Sequence, residues 1–138
     1  MVIMAVDLGT VRTGIAVSDK SETFAFPRDV IQERNRENLY KKIAERVALE
    51  KAEMLVLGLP KNMDGTEGFK AEESYKAKEV LEQLTSLKVE LFDERCTTII
   101  AHNSLRQSGK NAKNSKNIVD SVAATIILEG FLNLRKNS

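Results

Sequence analysis

The hydrophobic period of this chain changes near residue 35, and that change constrains the fold more than any other feature. Before it, apolar residues come in short runs of strand length. Residues 2–7 read as a buried strand, Gly9-Thr10 as a turn, and 14–18 as a returning strand. Residues 23–26 and 29–31 suggest a third strand, bent or ended near Pro27. Together these pieces predict an antiparallel meander. After residue 35 the spacing becomes helical. Leu39, Ile43, Val47 and Ala44 mark one face of a helix over about 36–51, with Asn35 as its N-cap. Strand 54–57, buried on both faces, ends at Gly58-Leu59-Pro60. A polar loop over 61–68 leads to a charged helix over about 70–85 that turns Ala77, Val80, Leu81 and Leu84 inward. Strand 89–92, a short helix over about 97–108, a polar loop over 108–114 and a last helix over about 116–134, with Ser115 as candidate cap, complete the order.

The order βββαβαβαα implies an α/β fold: a mixed five-stranded sheet with helices on both faces. Right-handed crossovers make strands four and five parallel to strand one. Asp7, Pro60 and Glu94 then lie towards one edge of the sheet, where α/β folds often build their sites.

Against this frame three carboxylates stand out. Asp7 ends the run Val2-Ile3-Met4-Ala5-Val6, Glu94 follows Val89-Glu90-Leu91-Phe92-Asp93, and Asp120 interrupts the apolar stretch from Ile118 to Leu128. A buried, unpaired carboxylate costs several kcal/mol, so such a group is usually paired or bound to a cation. Acids from two strand ends and a helix can share one site for a hard cation. Strand alternation sends Asp93 and Glu94 to opposite faces, which favours Glu94 over Asp93 as the ligand. Asp120 is expected on a helix face with Ala123, Ala124 and Ile127, whose small residues allow close approach to the sheet. The alternatives are structural: Arg12 neutralising Asp7 in a hairpin, an Asp93–Arg95 pair at a capped helix start, and Lys116 pairing with Asp120 one turn away.

The 138 residues suit one domain spanning 1–138, and a net charge of +1 from 21 basic and 20 acidic residues excludes little. Its distribution says more. From residue 95 to 119 there are Arg95, Arg106, Lys110, Lys113 and Lys116 but neither Asp nor Glu, a strip suited to phosphates. Within Asp7-Leu8-Gly9-Thr10-Val11-Arg12-Thr13-Gly14, the hydroxyls of Thr10 and Thr13, the exposed amides and Arg12 are candidate phosphate ligands. Lys61 and Asn62 can reach phosphates from the loop after strand four. His102 reads as a surface residue and the single Cys96 as packing, with no disulfide and no zinc spacing. No signal peptide or membrane-length apolar run is visible, so the expected location is cytoplasmic.

The motifs Asp7-x-Gly9-x-x-Arg12-x-Gly14-x-Ala16-x-Ser18-Asp19, Gly58-Leu59-Pro60-x-x-x-x-Gly65, Asp93-Glu94-Arg95-x-x-Thr98 and Asp120-x-x-Ala123-Ala124 occur in that order. In this the chain resembles the YqgF family of Holliday junction resolvases and pre-16S rRNA nucleases, over residues 2 to about 131. The resemblance implies an RNase H-like nuclease domain that matures the 5′ end of precursor small-subunit ribosomal RNA, with junction resolution as the alternative. It implies Asp7, Glu94 and Asp120 as catalytic acids.

The mechanism expected is two-metal hydrolysis. Asp7 bridges two Mg²⁺ or Mn²⁺ ions roughly 3.5–4 Å apart, and Glu94 and Asp120 each complete one shell. Thr10, Arg12, Lys61, Asn62, Arg95, Lys113 and Lys116 hold the substrate, mostly without reading sequence. The expected partners are precursor rRNA or branched DNA and ribosomal particles, with no membrane, the protein being a monomer or homodimer. Two rivals differ in class: a non-catalytic nucleic-acid or ribosome-binding module, and an ATP-dependent phosphotransferase suggested by Asp7-x-Gly9-Thr10.

Overall fold

The computed structural model describes residues 1–59, 69–93 and 121–136, with only the helical backbone for 69–71. Its elements are β1 (Ile3–Asp7), β2 (Arg12–Ser18), β3 (Ala25–Gln32), α1 (Arg36–Glu50), β4 (Met54–Leu59), α2 (Phe69–Thr85), β5 (Val89–Asp93) and α3 (Val122–Lys136). The strands form one sheet in the order β3-β2-β1-β4-β5. β1 is antiparallel to β2, and β2 to β3; β4 is parallel to both β1 and β5. This is the mixed sheet expected, and β1 is its centre. The helix expected over 97–108, the loop over 108–114, the candidate cap Ser115 and the ends at Pro60 and Glu94 lie outside the described residues.

Side-chain alternation divides the core in two. Met4 and Val6 of β1, Ile15 and Val17 of β2, and Leu55 and Leu57 of β4 pack under α1 and α2 with Leu39, Ile43, Val47, Ala77 and Leu81. Ile3, Ala5, Ala16, Val56 and Phe92 face the other way and meet Ala124, Ile127, Leu128 and Phe131 of α3. The apolar runs in β1 and β4 therefore have helices on both sides, as a doubly covered sheet requires.

Asn35 caps α1 as expected, its side chain accepting from the Asn38 amide at 3.0 Å. Four details differ from the sequence reading. β3 runs unbroken through Pro27, which lies opposite Ala16. It can do so because β3 is the sheet edge, where proline's missing N–H need not interrupt a ladder. Thr23 and Phe24 precede the strand: their amides donate to Asp19 Oδ1 at 2.7 and 3.0 Å and close the β2–β3 turn. On the helices, Tyr40 is buried, whereas Leu84 is 48% exposed on the wall of a shallow recess with Ala44, Val47 and Leu87. Finally, Ser121 lies in a turn and α3 begins at Val122. Its inward stripe is Ala124, Ile127, Leu128 and Phe131, an i, i+3, i+4, i+7 series that leaves Ala123 on the exposed flank.

Candidate active site

Asp7 is the last residue of the central strand and is half-buried. Its alternation matches Ile3 and Ala5, which places its side chain on the α3 face. Its cross-strand partner is Gly14. On the other side β4 passes from Leu57, partner of Val6, to Gly58. Both flanking positions lack side chains, so neither neighbouring strand crowds the carboxylate. A carboxylate is the hard oxygen ligand that suits Mg²⁺ or Mn²⁺. The other two expected acids, Glu94 and Asp120, lie outside the described residues.

The turn after Asp7 is held from within. Gly9 approaches the chain so closely that an added Cβ would lie 2.0 Å from the Arg12 carbonyl oxygen, which only glycine allows. The Gly9 amide donates to Thr13 Oγ1 at 3.4 Å. Thr13 is fully buried, so it closes the turn and is not available to a phosphate, contrary to the sequence reading. Thr10 and Arg12 are exposed, as a substrate-binding role requires. Lys61, Asn62, Arg95, Lys113 and Lys116 lie outside the described residues, as do Cys96 and His102.

Four residues that sequence reasoning missed, Arg36, Glu73, Ser74 and Ser121, support this edge. Arg36, the first residue of α1, donates from Nη2 to the carbonyls of Gly9 at 3.0 Å and Thr10 at 2.8 Å, and from Nη1 to Glu73 at 2.7 Å. Beside Glu73 on α2, the buried Ser74 donates to the Gly58 carbonyl at 3.2 Å. Adjacent α2 residues thus tie down both the turn after β1 and the end of β4. Between α1 and α2 these groups border a cavity of about 490 Å³ lined by Thr10, Arg34, Arg36, Tyr40, Glu72, Glu73 and Lys76. Burial, reinforced by the charge of Glu73, pushes the Tyr40 hydroxyl above its ordinary pKa, so it stays neutral in this wall. Ser121, also fully buried, accepts from the Ile15 amide at 3.4 Å and donates to the Arg28 carbonyl. No local pattern announces these contacts, because the partners are remote in sequence.

β5 extends the same edge. Its register with β4 sets Phe92 opposite Gly58 and Asp93 opposite Leu59. Val89 and Leu91 pack on the α1–α2 side, and Asp93 shares their alternation, away from the face of Asp7.

An acid closing the middle strand of a 3-2-1-4-5 sheet, with the first three strands antiparallel and helices on both faces, defines the RNase H-like class. The chain belongs to the family described as "RuvX: Holliday junction resolvase", which it matches over residues 1–134. It is 36% identical over 133 residues to the "Putative pre-16S rRNA nuclease" of Clostridium acetobutylicum, covering 96% of this chain and 98% of that protein. A protein of the same name from Anaeromyxobacter is 39% identical over 132 residues, covering 96% of each chain. Among solved structures, Thermus thermophilus RuvC in complex with a Holliday junction substrate shares the fold with a TM-score of 0.64 at 11% identity, covering 100% of this chain and 97% of that one. By family the protein is a hydrolase acting on nucleic acids. None of its described helices is long and apolar enough to cross a membrane.

Proposed function

We propose that the protein is a metal-dependent endonuclease that processes the 5′ end of precursor small-subunit ribosomal RNA in the cytoplasm. The observation that carries this reading is Asp7: an acid ending the central strand, with Gly14 as its cross-strand partner, in a chain of this family. Chain connectivity supports the other two acids. Glu94 directly follows Asp93, the last residue of β5, and Asp120 directly precedes Ser121 in the sequence. Ser121 is bonded to Ile15, the residue after Asp7's partner Gly14.

In this reading Asp7, Glu94 and Asp120 hold Mg²⁺ or Mn²⁺. When bound, such ions activate water and stabilise the leaving oxygen. Thr10 and Arg12 present donors to the substrate phosphates, and Lys61, Asn62, Arg95, Lys113 and Lys116 extend that grip. The names of the curated relatives favour precursor rRNA, with ribosomal particles as its natural setting. The family description and the RuvC likeness favour a second reading, cleavage of branched DNA, for which a homodimer would cut paired strands.

The test is cleavage of precursor rRNA and of a four-way DNA junction by wild type, Asp7→Asn, Glu94→Gln and Asp120→Asn. The expected result is Mg²⁺- or Mn²⁺-dependent cleavage of the RNA, abolished by chelator and by Asp7→Asn while the fold is retained. Undiminished cleavage by Asp7→Asn would overturn the reading. Binding without turnover in every divalent metal would make the protein a binding module instead.

A further inference from the structure

Arg36 uses its guanidinium on backbone more than on charge. Nη2 donates to the Gly9 and Thr10 carbonyls at 3.0 and 2.8 Å, and lies 3.5 Å from that of Glu33. Nε donates to the Arg34 carbonyl at 3.3 Å. Nη1 binds Glu73 Oε1 at 2.7 Å, and the Arg36 side chain is only 29% exposed. A solvated charge at a helix start needs none of this.

The consequence follows from peptide geometry. In a planar trans peptide the C=O of one residue and the N–H of the next point in opposite directions. With the Gly9 and Thr10 carbonyls drawn to Arg36 on the α1 side, the amides of Thr10 and Val11 point away from it. That direction is towards the face carrying Asp7, since α1 and α3 cover opposite faces of the sheet. Two successive amides directed alike make a concavity that favours an anion. The same arrangement removes two carbonyl dipoles that would repel a phosphate.

We propose that Arg36 is a positioning residue: by holding the Gly9 and Thr10 carbonyls, with Glu73 fixing its own orientation, it aims the Thr10 and Val11 amides at a substrate phosphate beside Asp7. The identity of that phosphate as nucleic acid rests on the nuclease reading above; the orientation of the turn does not. Lysine keeps the charge at position 36 but, as a single ammonium, cannot reproduce a planar fork shared by two carbonyls and a carboxylate.

The experiment uses the full chain with Asp7→Asn, which removes cleavage and the carboxylate's repulsion, with and without Arg36→Lys. Backbone amide resonances are followed while a ten-nucleotide oligouridylate is added. The Thr10 and Val11 amides should shift together, and Arg36→Lys should weaken their saturation about tenfold, as loss of charge-assisted hydrogen bonds implies. The salt dependence of binding should not change. Unmoved amides, or an unchanged midpoint in Arg36→Lys, would overturn the proposal. So would a salt slope lowered by about 0.7, which would mean that the Arg36 guanidinium itself neutralises one phosphate of the single strand. If Arg36→Lys does not fold, Glu73→Gln, which loosens the same clamp, should weaken saturation in the same direction, and no weakening overturns the proposal. In the chain with Asp7 intact, Arg36→Lys should lower kcat/KM for cleavage. If that chain cleaves nothing while the amides respond as described, the nuclease reading fails and the role of Arg36 stands.

Discussion

The Ser121 hydroxyl donates to the Arg28 carbonyl across 93 residues of sequence, and it accepts from the Ile15 amide at 3.4 Å. Ile15 and Arg28 are opposite one another where the β2–β3 register slips between Thr13 and Ile15. The hydroxyl therefore relays a hydrogen bond across an irregular rung, and it pins the entry to α3 beside the strand that faces Asp7. Replacing Ser121 with Ala leaves a buried N–H and C=O without this partner, which costs about 1–3 kcal/mol. The expected outcome for Ser121→Ala is a stability in urea lower by that amount and weaker cleavage, because Asp120 adjoins the released anchor. A midpoint equal to wild type would show that the strands close the rung without help.

Gly9 offers a sharper test of the turn. Its missing Cβ faces the Arg12 backbone, which cannot rotate aside as a side chain can. Gly9→Ala must displace the turn between Asp7 and Gly14. Overpacking of this kind costs about 1–3 kcal/mol. Cleavage should fall by at least about tenfold in protein that remains folded, since small misplacements at a reacting centre are costly. Wild-type turnover by a folded Gly9→Ala protein would mean that the turn's position does not matter to the chemistry.

What can be read from the residues is whatever local pattern encodes. Runs such as Ile3–Asp7 and Met54–Leu59 have helices on both faces, and the crossover rule makes β4 and β5 parallel to β1, as they are. Asn35 carries its cap in its own chemistry. Asp7 is legible because a carboxylate ending an apolar strand needs a reason. Pro27 misleads because whether a strand is an edge depends on topology, not on neighbours in sequence. Leu84 is exposed although it falls on the inward stripe, because helical period marks a stripe but not where along it the facing helix ends. Arg36 and Ser121 escape notice for one shared reason: their main acceptors are backbone carbonyls of remote segments, and carbonyls have no residue identity to read. Glu94 and Asp120 lie outside the described residues.

The far end of α3 has its own anchor. Arg135 Nε donates to Glu22 Oε1 at 2.7 Å, while the Met1 ammonium reaches Glu22 Oε2 at 3.1 Å. The hydrogen bond from Arg135, with help from the ammonium, holds the Glu22 carboxyl below its ordinary value of 4.5. A depressed carboxyl pKa adds stability that is present above the unfolded value and is lost as pH falls through the folded one. Glu22→Gln should therefore be less stable than wild type at neutral pH, by up to about 1 kcal/mol for so accessible a pair. The gap should shrink as pH drops below 4.5. Urea titrations at neutral and acidic pH check this; a gap that persists unchanged in acid would assign the effect to packing.

Glu129, on the same helix as Arg135, works in the opposite sense. Burial alone raises its carboxyl above the ordinary value of 4.5, since desolvation penalises the charged form. The folded protein then holds the proton more tightly than the unfolded chain does. Its stability is therefore greatest below the unfolded value and falls as pH rises through the folded one. Glutamine has nearly the same shape and no charge to desolvate. Glu129→Gln should be more stable than wild type at neutral pH, and the advantage should disappear below pH 4.5. The contrast with Glu22→Gln makes the pair informative: at neutral pH one substitution destabilises and the other stabilises, and one assay reads both. Equal urea midpoints for Glu129→Gln and wild type at neutral pH would show that the ionised carboxylate reaches water despite its place on α3.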